Sequence, residues 1–114
     1  MKSAIKLVLM SAMVTLVLSA TALAADPDPQ IVALYKAKCS ACHGADGKAA
    51  TPAGKKLNTR SFALPEIMKA PDADLIEITA RGKNKMPGFA KSLKEDQIKS
   101  LVAYIRGLTN PPKK

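Results

Sequence analysis

Cys39-Ser40-Ala41-Cys42-His43-Gly44 is the stretch on which the reading of this chain turns. On a helix, Cys39, Cys42 and His43 are related as i, i+3 and i+4 and project from one face. Two thiols three positions apart, with an imidazole directly after the second, form the spacing that attaches a c-type haem. Two thioethers can form on one edge of the porphyrin while the imidazole reaches the iron. Ser40 and Ala41 are small and read as spacers with no role of their own. His43 is the only histidine, which excludes a bis-histidine haem and a multi-histidine metal site within one subunit. Any sixth ligand must come from another residue type.

Upstream, the chain begins with a processing signal. Lys2 and Lys6 form a positive n-region, Leu7 to Leu18 an apolar h-region, and Ala22-Leu23-Ala24 a small-x-small cleavage site. Residues 1–24 are therefore expected to be a cleaved signal peptide and 25–114 the working domain, in the periplasm. The h-region is short for a membrane span, and Asp26 and Pro27 do not continue it. Cleavage leaves enough residues for one small domain and too few for two. Of the 18 basic residues Lys2 and Lys6 depart, and against 9 acids the exported chain is +7. Export permits a Cys39–Cys42 disulfide as readily as covalent haem. A thioredoxin-like redox pair is disfavoured because no βαβ pattern accompanies it.

The domain reads as about four helices joined by irregular loops. Asp28-Pro29 starts a helix to about Ala41, with Ile31, Leu34 and Tyr35 on one face. From Gly44 to Phe62 no periodicity is visible, and a loop of that length in so small a domain is expected to cover something. A short helical turn is expected near Leu64-Pro65-Glu66, and Asp72 caps a helix that Gly82 stops. Ser92-Leu93-Lys94-Glu95 reads as a capping box, followed by Ile98, Leu101, Val102, Ile105 and Leu108 at helical intervals. The helix is expected to stop near Leu108, with a Lys113-Lys114 tail beyond. Large core residues are scarce: with no Trp, the aromatics are Tyr35, Phe62, Phe89 and Tyr104. A buried porphyrin would supply the missing apolar volume.

Two methionines of the exported chain compete for the second axial position. Met68 lies in a helical turn, where methionine is usually core filler. Met86 lies in the loop Gly82-Lys83-Asn84-Lys85-Met86-Pro87-Gly88-Phe89, where Pro87 turns the preceding residue away from helical geometry. Met86 is the favoured candidate.

The haem signature, Asp74-Leu75-Ile76, the Met86 loop and Leu101-Val102-Ala103-Tyr104-Ile105-Arg106 occur in that order. Together they resemble the monohaem class I cytochromes c, especially small bacterial ones similar to cytochrome c6, cytochrome c553 and the haem subunits of cbb3-type oxidases. The resemblance implies an all-α class I cytochrome c fold around one haem c. It further implies attachment through Cys39 and Cys42, with His43 as proximal and Met86 as distal iron ligand. It also implies that the first and last helices cross near Tyr35 and Tyr104. Two departures stand out. Many relatives have a glycine eight residues before the first cysteine, where this chain has Ile31. Many also have a proline in the following loop whose carbonyl accepts the imidazole N–H; here the comparable stretch reads Gly54-Lys55-Lys56-Leu57, the only nearby proline is Pro52, and which carbonyl serves is open.

A His/Met pair would leave the iron no vacant site and suit electron transfer rather than catalysis, so the chain is not expected to be an enzyme. The expected function is a soluble, monomeric electron shuttle between redox proteins. The alternative is a haem subunit of a larger dehydrogenase or terminal oxidase. A ligand-binding sensor or weak peroxidase would need Met86 detached. Lys48, Lys55, Lys56, Lys83, Lys85 and Lys91 are either plain solvated charge or a positive ring that steers an acidic reductase, oxidase or dehydrogenase. Nucleic-acid binding is a poor account of the charge, given export and the absence of any such motif.

Overall fold

In the computed structural model, residues 26–110 are described; the expected signal segment and the Lys113-Lys114 tail lie outside the described residues. Among the described residues six helices follow in order: α1 (Pro29–Lys38), α2 (Ser40–His43), α3 (Pro52–Lys56), α4 (Pro65–Met68), α5 (Asp72–Arg81) and α6 (Glu95–Thr109). No strand is present among the described residues, only an isolated antiparallel bridge between Lys83 and Met86. The all-α class therefore holds, with two more helical segments than the four expected.

α1 starts as the sequence predicts: Asp28 is its N-cap and accepts the Gln30 N–H at 2.8 Å, and Pro29 occupies the first turn. The helix expected to reach Ala41 instead ends at Lys38 and resumes as α2 after Cys39. The cause lies in Ser40, which is more than a spacer. Its hydroxyl donates to the Lys36 carbonyl four residues back at 2.8 Å, a bond of the kind that bends helices. Helical bonding nevertheless continues through the kink: the Cys39 N–H donates to Tyr35 O at 2.9 Å and the His43 N–H to Cys39 O at 3.0 Å.

The two later helices also start differently from expectation. Pro71, not Asp72, precedes α5, and Asp72 turns its carboxylate to Arg106 at 3.0 Å. α6 begins at Glu95 rather than after Ser92. The Gln97 side chain accepts the Lys94 N–H at 2.9 Å, which makes half of a capping box, since a lysine ammonium accepts nothing in return. Gly82 does end α5, at φ 80°, and its N–H donates to Ile78 O at 2.7 Å.

α6 packs against both α1 and α5. Its buried stripe is Ile98, Leu101, Val102 and Ile105, the spacing of one helix face. Tyr35 is 1% exposed and meets Tyr104 edge-on, with ring centroids 5.1 Å apart. The crossing expected at the two tyrosines is therefore present, with Ile31 packed at the margin of the same cluster.

Arg106 ties the third side together. Its guanidinium donates to the carbonyls of Ile67 (3.0 Å), Met68 (2.9 Å) and Ala70, and to Asp72. One planar group thus closes the end of α4 and the start of α5 onto α6. Among the described residues no helix is long and apolar enough to cross a membrane.

Candidate functional site

The kinked α1–α2 junction sets Cys39, Cys42 and His43 on consecutive helical turns. Cys39 is buried, Cys42 half-buried, and both are free thiols. Burial pushes the Cys39 thiol up to about 11, so at neutral pH it stays protonated rather than thiolate. The His43 ring lies flat on Phe62, centroids 4.4 Å apart and 15° between planes. Burial lowers its basicity, and the Arg60 backbone beside it partly offsets this. Even so, Nδ1 is buried and has no partner with hydrogen-bond geometry.

Carbonyls at the end of a helix normally lack partners, yet around α2 all but that of Cys42 are met by a donor of their own. Cys39 O and Ser40 O accept the N–H groups of His43 and Gly44. His43 O accepts the Ala49 N–H at 2.8 Å. The Tyr35 hydroxyl, buried in the core, donates to Gly44 O at 2.7 Å. The Thr51 hydroxyl donates to Ala41 O at 2.6 Å and lies 3.2 Å from Cys42 O. The same hydroxyl oxygen accepts the Gly54 N–H at 2.9 Å, capping α3. Gly54 must be glycine for lack of space, because a Cβ there would sit 2.3 Å from Cys42 O and 2.7 Å from Ala49 O. The segment expected to be an irregular loop is thus a shelf under the cysteine turn.

Met86 belongs to a second, separately braced loop. Lys83 and Met86 exchange backbone bonds at 3.1 and 2.9 Å around Asn84, which takes φ 53°. The loop is pulled onto the end of α5 as the N–H groups of Phe89 and Ala90 donate to Thr79 O and Ala80 O, each at 3.0 Å. Gly88 lets it approach: a Cβ there would lie 2.6 Å from the Arg81 carbonyl. Met86 is half-buried, whereas Met68 is 39% exposed.

The donor set fits a covalent haem. Two thiols and an imidazole share the turn at the α1–α2 junction, and Met86 lies on a loop hydrogen-bonded to the end of α5. Phe62, Leu64, Ile67, Ile78 and Phe89 are only half-buried, which leaves apolar surface for a porphyrin to cover. The six lysines singled out in the sequence are exposed, and none pairs with a carboxylate of the described residues. Residue-type reasoning overlooked Tyr35 O–H, Thr51, Gly54 and Phe62 as supports. Thr51-Pro52 did carry a signal, a hydroxyl N-cap followed by proline at the first helical position.

Comparison with known proteins agrees with the geometry. Residues 27–105 match the family model for cytochrome c oxidase, cbb3-type, subunit III. Cytochrome c6 of Nostoc sp. (strain PCC 7120 / SAG 25.82 / UTEX 2576) is 36% identical over 108 residues, 94% of each chain. Cytochrome c6 of Limnospira maxima is 34% identical over 76 residues, covering 63% of this chain and 82% of its own. Among solved structures, the KustC0563 c-type cytochrome is similar at TM-score 0.62 and 35% identity, covering 68% of this chain and 94% of that one. Cytochrome c6 from the diatom Phaeodactylum tricornutum is similar at TM-score 0.51 and 27% identity, covering 71% and 88%. With the signature, the helical fold and these relatives in agreement, the chain belongs to the small class I monohaem cytochromes c, electron-transfer proteins that carry a covalently bound haem c and its iron.

Proposed function

We propose that the chain is an exported electron shuttle, freed of residues 1–24 and working in the periplasm, with Cys39 and Cys42 as attachment thiols and His43 and Met86 as axial ligands. The observation that carries this is the placement of Cys39, Cys42 and the Phe62-stacked ring of His43 together on one braced turn at the α1–α2 junction. Bound there, the haem supplies a one-electron iron couple. The protein's share is to bury the Cys39 thiol and to hold the His43 ring flat against Phe62. The α3 shelf braces the cysteine turn, and the Gly82–Gly88 loop fastens Met86 to the end of α5. A thioether ligand favours the ferrous state relative to harder ligands. The exposed lysines support docking of an acidic redox partner, so transfer rates should fall as salt is added; a flat salt profile would remove that part of the proposal.

Intact mass of the protein made with haem-attachment machinery tests attachment, which should vanish in Cys39→Ala/Cys42→Ala. Carbon monoxide tests the sixth ligand. The ferrous wild type should resist it and Met86→Ala should bind it. Ready binding by the wild type would show that Met86 is not a ligand.

The family model gives a second reading, a haem subunit within a larger oxidase-type complex. The near full-length match to cytochrome c6 favours the free shuttle. Native mass of the protein from its own periplasm separates them: a monomer supports the shuttle, and a stable complex with other subunits supports the second reading.

A further inference from the structure

We propose that Thr51 is a positioning residue for the haem-attachment turn, fixing through its single hydroxyl the direction in which Cys42 and His43 present their side chains. The inference rests on the reading that these two residues hold the haem.

Thr51 sits where two helix ends meet. α2 finishes with carbonyls that need donors, and α3 starts with N–H groups that need acceptors. One oxygen serves both, donating to Ala41 O at 2.6 Å, lying 3.2 Å from Cys42 O and accepting from Gly54 N at 2.9 Å. The main chain of Thr51 adds a bond, as its carbonyl accepts the Lys55 N–H at 2.9 Å. The two carbonyls concerned belong to the residue before Cys42 and to Cys42 itself, so their orientation sets the peptide planes entering and leaving Cys42. Gly54 makes the junction tight, since no side chain fits between it and Cys42 O.

The bond to Ala41 O lies at the surface, so water can replace the donor when the hydroxyl is removed. Water cannot also hold the Gly54 N–H at a fixed angle to the Cys42 carbonyl. Loss of the hydroxyl is therefore expected to loosen the turn rather than unfold the domain, and to admit water beside His43. Water stabilises the more highly charged ferric state, so the reduction potential should fall.

The test uses the haem-loaded full protein as wild type, Thr51→Val and Thr51→Ser. Wild-type haem mass and resistance to carbon monoxide come first; their failure would overturn the underlying reading and not the role of Thr51. Given both, Thr51→Val should shift the oxidised-to-reduced ratio at a fixed poise by about threefold, ~28 mV at 59 mV per tenfold for one electron. The Gly54 amide should exchange at least about tenfold faster in that variant. Thr51→Ser should restore both. A lower Tm with unchanged potential in Thr51→Val would reduce Thr51 to an ordinary helix cap and overturn the proposal. If the valine variant yields no haem-loaded protein, the serine variant decides: wild-type yield and potential support the hydroxyl's role, and a serine variant as poor as valine overturns it.

Discussion

Replacing Tyr35 by phenylalanine removes one oxygen from a side chain that is 1% exposed and is expected to change stability in a way that depends on pH. At neutral pH the loss is the bond from the Tyr35 hydroxyl to Gly44 O at 2.7 Å. Gly44 O keeps a second donor, the Gly47 N–H at 3.2 Å, so it is not orphaned and the cost falls near the middle of the usual range, about 1 kcal/mol. In a domain of this size that lowers Tm by roughly 4–8 °C. Burial, with smaller contributions from Cys39, Tyr104 and Asp46, holds the Tyr35 hydroxyl well above the ordinary tyrosine value. The folded state therefore keeps its proton where the unfolded chain releases it, above about pH 10. The stabilisation is whole below that pH and is lost as pH rises, by about 1.4 kcal/mol at pH 11. A phenylalanine at this position cannot ionise, so the gap between wild type and Tyr35→Phe should close by about pH 11. Other lysines and tyrosines titrate alike in both proteins and cancel in the difference. Urea unfolding of the pair at a neutral pH and then in steps up to about pH 11, followed by far-UV circular dichroism, measures the gap. A gap that stays constant across the series would show that Tyr35 ionises as freely in the fold as in the unfolded chain, and the burial argument would fail.

Gly88→Ala places a methyl 2.6 Å from the Arg81 carbonyl. It should cost about 1–3 kcal/mol and lift the Met86 loop from α5, giving a ferrous protein that binds carbon monoxide; Met68→Ala, at a 39% exposed side chain, should not. Arg106→Ala removes donors from the carbonyls of Ile67, Met68 and Ala70 and from Asp72, and should cost about 2–3 kcal/mol in urea unfolding. Arg106→Lys should recover little of it, for lack of the planar five-donor fork. Asp72→Asn should cost less than about 1 kcal/mol, because the Asp72 side chain is 66% exposed; an equal loss would show that the ion pair and not the carbonyl bonds matters.

The long-range contacts of this fold were unevenly visible in its residues. α6 was legible because Ile98, Leu101, Val102 and Ile105 repeat at helical spacing, and the cysteine signature because its chemistry demands fixed intervals. Met86 stood out through Pro87 and two glycines. The kink at Cys39 was hidden, since it depends on which of two donors, the Ser40 hydroxyl or a backbone N–H, takes the Lys36 carbonyl. The roles of Asp72 and Arg106 were hidden for a related reason. Asp72 is a good N-cap by residue type, but a guanidinium 34 positions away competes for its carboxylate, and sequence proximity gives no measure of that competition.

α3 shows the same limit more sharply. Five residues, Pro52 to Lys56, have no apolar stripe to read, and an isolated helix of that length does not form in water. It exists because Thr51 caps it, because Gly54 lets it touch Cys42 O, and because α2 offers carbonyls that need a donor. The dependence runs both ways: without the Thr51 cap of α3, the Ala41 and Cys42 carbonyls would turn to water and the cysteine turn would lose its floor. A signature of six residues therefore specifies where a haem can be attached, while the orientation of the attaching groups is set by a threonine eight positions beyond His43. Sequence spacing alone is thus a guide to attachment and a poor guide to the potential of the attached iron.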